Sequence, residues 1–568
     1  MPSSSTQTIS PGRFPETLTR HLLRFHRDRW LSRLRERRTD LWSDDPAHQA
    51  VAAQRLGWLD PLPLWDTHRQ SVAAWADSAR AGVRDVVLLG MGGSSLAPEV
   101  IARVAAPGGA PHFHMLDSTD PDSVRSLTTR LDPRRTLFIV ASKSGGTIET
   151  LSHLAFFYAW VKASRAEPGP AFVAITDEGS ALHRLGAARG FAHVWLNPAE
   201  IGGRYSALSL FGMVPAALMG VDLAGVSETV RAMIDACGPE APRDENPALT
   251  LGVMLGVAAA GGADKLTLLT SPALRPFGAW VEQLVAESTG KDGKGLVPID
   301  GEPNDAAAYG ADRCVVALRL EGEAHAGIGT SSRVRDGGAP LIEIALADRM
   351  ALFGEFYKWE VATAVAAAIL HVDPFDEPNV QESKDQTKTI LTYFYEHGAL
   401  PEDPIAAAGD RLAVSGAASD IRPVHDVAAA LRALFASVKP GMYLALLGYL
   451  DRSSAVDEAM TAIRRRLGAA LQVPTLFGYG PRYLHSIGQL YKGGPPTGAF
   501  LVLTADHAQD VPIPDAPYTF GQLQLAQALG DVAALRKHDR PVRRVHLQGD
   551  LPGALIALEQ AIASSLTG

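Results

Sequence analysis

The stretch Thr136–Leu151, TLFIVASKSGGTIETL, decides how the chain is read. Six β-prone residues run into Ser142-Lys143-Ser144-Gly145-Gly146-Thr147, and a helical pattern follows at once. A strand-to-helix turn needs glycines for their permissive backbone. It does not need three hydroxyls and a lysine. These add donors and a positive charge beside a helix N-terminus, whose unpaired N–H groups already favour an anion.

Working outward, the same strand–loop–helix unit recurs from about residue 80. DVVLLG precedes LAPEVIARVAA, HFHMLD precedes DPDSVRSLTTRL, AFVAIT precedes SALHRLGAARG, and HVWLN follows. Such alternation predicts a parallel sheet covered on both faces. A second series begins near residue 245, with strands in KLTLLTS, CVVALRL and LIEIAL. Beyond a polar, Pro-containing stretch at about 385–425 it resumes with MYLALLGYL, VPTLFGYG, AFLVLTA and VRRVHLQG. The fold class is therefore α/β: two three-layer α/β/α domains with mainly parallel sheets, behind an N-terminal helical segment. The divisions are 1–70 for that segment, 71–235 for the first domain, 236–384 for the first part of the second domain and 385–568 for its C-terminal part. Residues 1–10 are polar and expected to be disordered. Residues 15–60 read as helical; there, RHLLRFHRDRWLSRLRERR puts Leu23, Trp30 and Leu34 on one face, with a solvated basic face opposite.

At 568 residues the chain is longer than one core comfortably serves. A net charge of −9 argues against bulk attraction to nucleic acid or an anionic membrane. The two cysteines, Cys237 and Cys314, have no CxxC spacing and read as inert thiols of a reducing compartment. The N-terminus has no apolar signal core. The most apolar region, Ala248–Ala263, is short for a membrane span and reads as a buried, closely packed helix. A cytoplasmic location is expected.

In parallel sheets ligands bind beyond the carboxyl ends of the strands. Two such ends carry polar, glycine-rich loops: Gly90-Met91-Gly92-Gly93-Ser94-Ser95, and residues 142–147. The first is not a dinucleotide fingerprint, because Ser95 stands where a third glycine belongs. GKDGKG (290–295) lacks Walker A spacing. Either loop alone reads as an ordinary turn with capping serines. Both in one domain favour a small phosphorylated ligand.

Four patches could carry chemistry. IGGRYSALSLFG presents Arg204 from a Gly-Gly turn, where it could stabilise an oxyanion or be a surface residue. WVEQLVAESTGKDGKG holds Glu287 near the end of an amphipathic helix, with Gln283 four residues earlier on the same face; it is a base or an exposed helix end. DPFDEPNVQESKDQTK carries Lys384 in a charged stretch whose default is a solvated face. GYGPRYLHSIGQLYKGGP places His485 just past a strand end. No metal set is evident: His112 and His114 share a strand face without an acidic or Cys partner. There is no GxSxG elbow.

Taken together, the motifs GMGGSS, SKSGGTIET, GGRYS, ESTGK, PFDEPNVQESK and LHSIGQ resemble those of the phosphoglucose isomerases, with SIS-type domains. The likeness runs from about residue 55 to the end. It is nearest the isomerase half of fused transaldolase–phosphoglucose isomerases, although too few residues precede the first strand to hold a transaldolase barrel. The resemblance implies reversible isomerisation of glucose 6-phosphate and fructose 6-phosphate through an enediolate, without cofactor or metal. It implies phosphate contacts from Ser94, Ser142, Lys143, Ser144 and Thr147. Arg204 would stabilise the enediolate, Glu287 would move the proton with Gln283 nearby, and Lys384 and His485 would assist ring opening. Two features depart from the family pattern. Here the order is Glu287, Lys384, His485, whereas relatives usually run Glu, His, Lys; a chain could thus supply its own His. Glu377 stands where many relatives have Gln. The expected partner is a small hexose phosphate, not nucleic acid or a membrane. Homodimer and monomer both stay open, as does a functional link to a transaldolase. The alternatives are a catalytically inactive sugar-phosphate sensor and a related isomerase that also uses mannose 6-phosphate.

Overall fold

The computed structural model describes residues 4–567 apart from 304–308, 324–333, 335, 336, 402 and 417–425. The chain divides into two compact units. One comprises Met1–Asp117, Leu131–Asp300 and Tyr309–Glu377; the other comprises Ser118–Arg130, Gly301–Ala308 and Pro378–Gly568.

The first unit holds two five-stranded sheets. Strands β2 (Asp85–Gly90), β3 (His112–Leu116), β4 (Thr136–Ala141), β5 (Phe172–Asp177) and β6 (His193–Asn197) lie in the order β3-β2-β4-β5-β6, all parallel. The central runs VVLL and LFIVA are buried on both faces, which is why they read as unbroken apolar stretches. The order reverses between β2 and β4, because β3 pairs on one side of β2 and β4 on the other. That reversal opens a crevice at the strand ends. The second sheet contains β1 (Ser5–Ser10), β7 (Lys265–Thr270), β8 (Val297–Asp300), β9 (Arg313–Leu320) and β10 (Leu341–Leu346), in the order β1-β10-β9-β7-β8. It is parallel except for β1, which runs antiparallel to β10. Residues 5–10 are therefore ordered, contrary to the expectation of disorder. Their polarity suits an edge strand, and ladder bonds to β10 supply what their composition does not.

One apolar core joins the helices of both sheets, with Trp58, Trp65, Trp280 and Trp359 fully buried in it. The region 15–60 forms helices Pro15–Arg27, Trp30–Arg35 and Pro46–Ala53. Leu22, Phe25, Trp30 and Leu34 are buried, whereas Leu23 is exposed, one position off the face read from the sequence. Pro247–Ala260 is a buried helix packed on helix Ala351–Leu370.

The second unit has a sheet of its own. Strands β11 (Ile405–Ala408), β12 (Leu412–Ser415), β13 (Tyr443–Tyr449), β14 (Thr475–Tyr479), β15 (Gly498–Ala505) and β16 (Val542–Leu547) lie in the order β11-β12-β16-β15-β13-β14. The last four are parallel to one another, and β11 and β12 are antiparallel additions. Residues 385–568 are thus not a continuation of the second sheet. The alternation revealed the strands, but the pairing that closes a separate sheet is non-local. Within or across the polar stretch 385–425 lie helix Pro378–His397, β11 and β12, and 417–425 lie outside the described residues. Helix Pro121–Arg130, which follows β3 in the chain, belongs to this second unit. Among the described residues no helix is long and apolar enough to cross a membrane.

Candidate active site

Both glycine-rich loops leave the reversal point of the first sheet. Gly90 and Ala141 are register partners at the ends of β2 and β4, so the loops emerge side by side. In the loop after β4, the Ser142 and Thr147 hydroxyls lie 2.9 Å apart, and Ser142 Oγ accepts the Gly145 N–H at 3.1 Å. Ser144 Oγ accepts the Gly146 N–H at 3.3 Å. Gly145 has φ +68°, and a Cβ there would stand 2.8 Å from the Leu182 nitrogen and the Ser180 side chain, so the turn requires glycine. Helix Ile148–Lys162 then begins, directing its first-turn N–H groups at the loop. Lys143 does not point freely to solvent. Its ammonium donates to Asp177 and to the Ala199 carbonyl at 2.5 and 2.8 Å.

The loop after β2 serves a second purpose. A Cβ on Gly93 would stand 2.0 Å from the Gly203 carbonyl oxygen, so Gly93 lets this loop lie against the turn Gly203–Tyr205. Ser206 Oγ donates to the Gly203 carbonyl at 2.6 Å and lies 3.3 Å from the Gly93 carbonyl. Ser94 is buried beside it, just ahead of helix Leu96–Val104. The loop therefore braces the segment that presents Arg204.

Arg204 is 4% exposed. Its Nε donates to Ser288 Oγ at 2.9 Å and to the Pro374 carbonyl at 3.3 Å. Nη2 donates to the carbonyls of Pro374 (2.7 Å) and Asp376 (2.9 Å), and Nη1 to Glu377 Oε2 (3.0 Å). A guanidinium has five N–H groups. Among the described residues, four are used in hydrogen bonds. The remaining hydrogen is on Nη1, whose nearest other partner is Glu287 Oε1 at 3.4 Å, an ion pair too long for a strong hydrogen bond. Tyr205 stacks on Trp58, with ring centroids 4.8 Å apart, and its hydroxyl lies 3.2 Å from Ser288 Oγ. This fixes the turn from below.

Glu287 lies in helix Arg275–Thr289, most of which is buried around Phe277, Trp280, Val281 and Leu284. The exposed helix end allowed by the sequence is not what forms. Gln283, one turn earlier, donates Nε2–H to Glu287 Oε2 at 3.1 Å. Burial raises the Glu287 carboxyl above its ordinary range; Arg204 opposes that rise and Glu377 adds to it. Burial disfavours the Arg204 charge, but Glu287 and Glu377 more than offset this and hold the guanidinium charged. The arrangement pairs a desolvated carboxylate, inclined to take up a proton, with a fixed cation that has one donor to spare. That is the equipment for removing a carbon-bound proton and receiving the oxyanion that results.

Two residues missed by the sequence reading complete this centre. Lys291, 3% exposed, pairs with Asp376 at 2.6 Å and donates to the Asp373 carbonyl. It thereby pins the 373–377 loop whose carbonyls hold Arg204. Burial, reinforced by Arg204, lowers its pKa. Ser288 is the second. Both stand in ESTGK beside Glu287, so the motif itself was the available signal.

Lys384 and His485 belong to the second unit. Lys384 is exposed on helix Pro378–His397; His485 is half-buried in the short turn Arg482–His485. Helix Pro378–His397 is joined to helix Gly488–Gly493, just past that turn: Gln489 and Asn379 exchange two hydrogen bonds of 2.8 Å. His114 does have an acidic partner, contrary to the sequence reading: its Nε2 lies 2.9 Å from Asp85 Oδ1. The fold also gathers Asp120, Asp122 and His507, a group no local spacing foretold. Asp120 Oδ1 is occupied there in accepting the Asp122 and Ser123 N–H groups at the start of helix Pro121–Arg130.

Residues 65–304 match the family model described as phosphoglucose isomerase. A curated glucose-6-phosphate isomerase of Thermus thermophilus is 38% identical over 216 residues, 38% of this chain and 48% of that protein. The chain thus spans about half the length of the first curated relatives it matches. Among solved structures, a hypothetical protein of Thermus thermophilus aligns with TM-score 0.57 at 25% identity, over 68% of this chain and all of the other. A glucose-6-phosphate isomerase of Chlamydia trachomatis aligns with TM-score 0.56 at 17% identity, over 69% of this chain and 89% of the other, and so shares its fold. The family resemblance carried by GMGGSS, SKSGGTIET, GGRYS and ESTGK is borne out over the matched segment; PFDEPNVQESK and LHSIGQ lie outside it. Fusion to a transaldolase is not shown.

Proposed function

We propose that this chain, whose residues 65–304 carry the phosphoglucose isomerase match, interconverts glucose 6-phosphate and fructose 6-phosphate through an enediolate. The observation that supports the reading most is the Arg204–Glu287 pair, buried at the crevice edge of the first sheet with one guanidinium N–H uncommitted among the described residues.

Moving a carbonyl between C1 and C2 requires removal of a weakly acidic C–H proton. Glu287 takes that proton from one carbon and returns it to the other. The enediolate oxygen gathers charge as the proton leaves, and the spare Nη1–H of Arg204 receives it. Because the guanidinium is already fixed by Ser288, Pro374 and Asp376, little reorganisation is needed at that moment. Gln283 holds one oxygen of Glu287 and leaves the other to act.

The phosphate is remote from the reacting carbons, so its contacts supply positioning. Ser94, Ser142, Ser144 and Thr147 provide hydroxyls, and helix Ile148–Lys162 provides N–H groups. Lys143 contributes its charge and the one N–H that, among the described residues, is not engaged by Asp177 or the Ala199 carbonyl. For Lys384 and His485, a part in ring opening rests on the motif likeness alone.

The test is direct. The purified chain is given fructose 6-phosphate, and glucose 6-phosphate is read through a coupled dehydrogenase. Turnover that disappears in Glu287→Gln is expected. Binding of fructose 6-phosphate without turnover would overturn the reading and leave a sugar-phosphate sensor.

A further inference from the structure

Glu377 is the one residue at this centre that departs from the pattern the motifs resemble, and the fold gives it a defined partner. Its Oε2 takes a hydrogen bond from Nη1 of Arg204 at 3.0 Å, the same nitrogen that faces Glu287 at 3.4 Å. We propose that Glu377 is a positioning residue for proton transfer: it orients the remaining Nη1–H of Arg204 and adds a second negative charge that keeps Glu287 a strong base. This rests on the isomerase reading of the site.

The argument is geometric first. Nη1 carries two hydrogens, and committing one to Glu377 fixes the direction of the other. Sharing that nitrogen, at 3.0 Å from Glu377 Oε2 and 3.4 Å from Glu287 Oε1, also keeps the two carboxylates close to each other. At that range like charges still interact appreciably, even at the effective dielectric of a protein surface.

The groups around Glu287 are Arg204 and Lys291, which favour its charged form; Glu377, which opposes it; and Gln283, which donates to it. Lys291 is itself committed to Asp376 and to the Asp373 carbonyl, and Arg204 to the carbonyls of Pro374 and Asp376. Tyr205 faces Arg204 through Ser288. Within this set Glu377 alone adds a negative charge against Glu287. It is 40% exposed at the side chain, whereas Arg204 is 4% exposed, so it can tune the pair without being sealed inside it.

Glu377→Gln separates charge from shape, because the amide oxygen can still accept from Nη1. Its effect should appear as a downward shift of about one pH unit in the acid limb of kcat/KM, with a several-fold lower plateau. Glu377→Asp should restore part of the shift. Glu377→Ala, which removes the acceptor as well, should lose at least a further tenfold. A substrate-independent measurement accompanies these: infrared titration of the Glu287 carboxyl band in the free protein, assigned by its loss in Glu287→Gln. The band should titrate at lower pH in Glu377→Gln than in the wild type. An unchanged titration would overturn the proposal. Absence of isomerase turnover in the wild type would instead overturn the functional reading, and the infrared shift would still decide the role of Glu377.

Discussion

Each unit of the protein buries a charged centre, and the two are built on opposite plans. In the second unit, Asp531 is fully buried. One of its oxygens receives Lys492 Nζ at 2.9 Å and the other the Tyr483 hydroxyl at 2.6 Å. Tyr483 in turn lies 3.0 Å from the Tyr449 hydroxyl. One carboxylate meets one ammonium, and both carboxylate oxygens are used. In the first unit, Arg204 is shared between Glu287 and Glu377, and its closest contact to Glu287 is a loose 3.4 Å. A balanced buried pair serves to hold elements together, here the His485 turn and helix Phe520–Lys537. An unbalanced one keeps a carboxylate raised in basicity and a donor in reserve. The contrast teaches where chemistry belongs: where pairing is left open, not merely where charges are buried.

Four substitutions break or sharpen this comparison. Glu287→Gln should have the largest effect, lowering kcat by roughly 10³–10⁴-fold while leaving KM within a few-fold. Steady-state kinetics checks this, and thermal unfolding should show no loss of stability. Asp531→Ala should do the reverse. Removing one partner of a buried pair costs about 3–5 kcal/mol, read as a fall in denaturation midpoint. Any activity lost should track the unfolded fraction.

Gly93→Ala tests the brace behind Arg204. A methyl group 2.0 Å from the Gly203 carbonyl forces the loops apart, with a cost of about 1–3 kcal/mol in stability. kcat should fall and KM should rise together, because the strained contact joins the turn that carries Arg204 to the loop that carries Ser94.

The smallest effect concerns Glu360. It is fully buried, and burial raises its carboxyl well above the usual 4.5. Between 4.5 and that raised value the native state binds more protons than the unfolded chain, so stability falls as pH rises. Glu360→Gln lacks this dependence. The melting temperature of the variant relative to wild type should therefore climb as pH is raised from about 5 to 8; a constant difference would count against a raised carboxyl.

The sequence made the central strands of all three sheets legible, because doubly buried strands read as continuous apolar runs: VVLL, LFIVA, LTLL, ALLG. It did not reveal Ser5–Ser10, whose order comes from pairing with a strand more than 300 residues away. Nor did it reveal β8, four residues long with Pro298 inside, tolerated because β8 is an edge. The charged side chains of the site were legible by type and motif. Their holders were not, since Arg204 is gripped largely by the carbonyls of Pro374 and Asp376, and any residue supplies a carbonyl. Lys143 was legible as a cation, but its engagement with Asp177 depends on β5 lying next to β4.

The account depends on Glu287 exchanging a proton with the sugar. The most direct measurement is turnover of fructose 6-phosphate in D₂O, followed by mass and NMR analysis of the glucose 6-phosphate formed. The wild type should place solvent deuterium at C2, and Glu287→Gln should form no labelled product. Glu287→Gln that still turned over and placed deuterium at C2 at the wild-type rate would contradict an enediolate formed by this carboxylate.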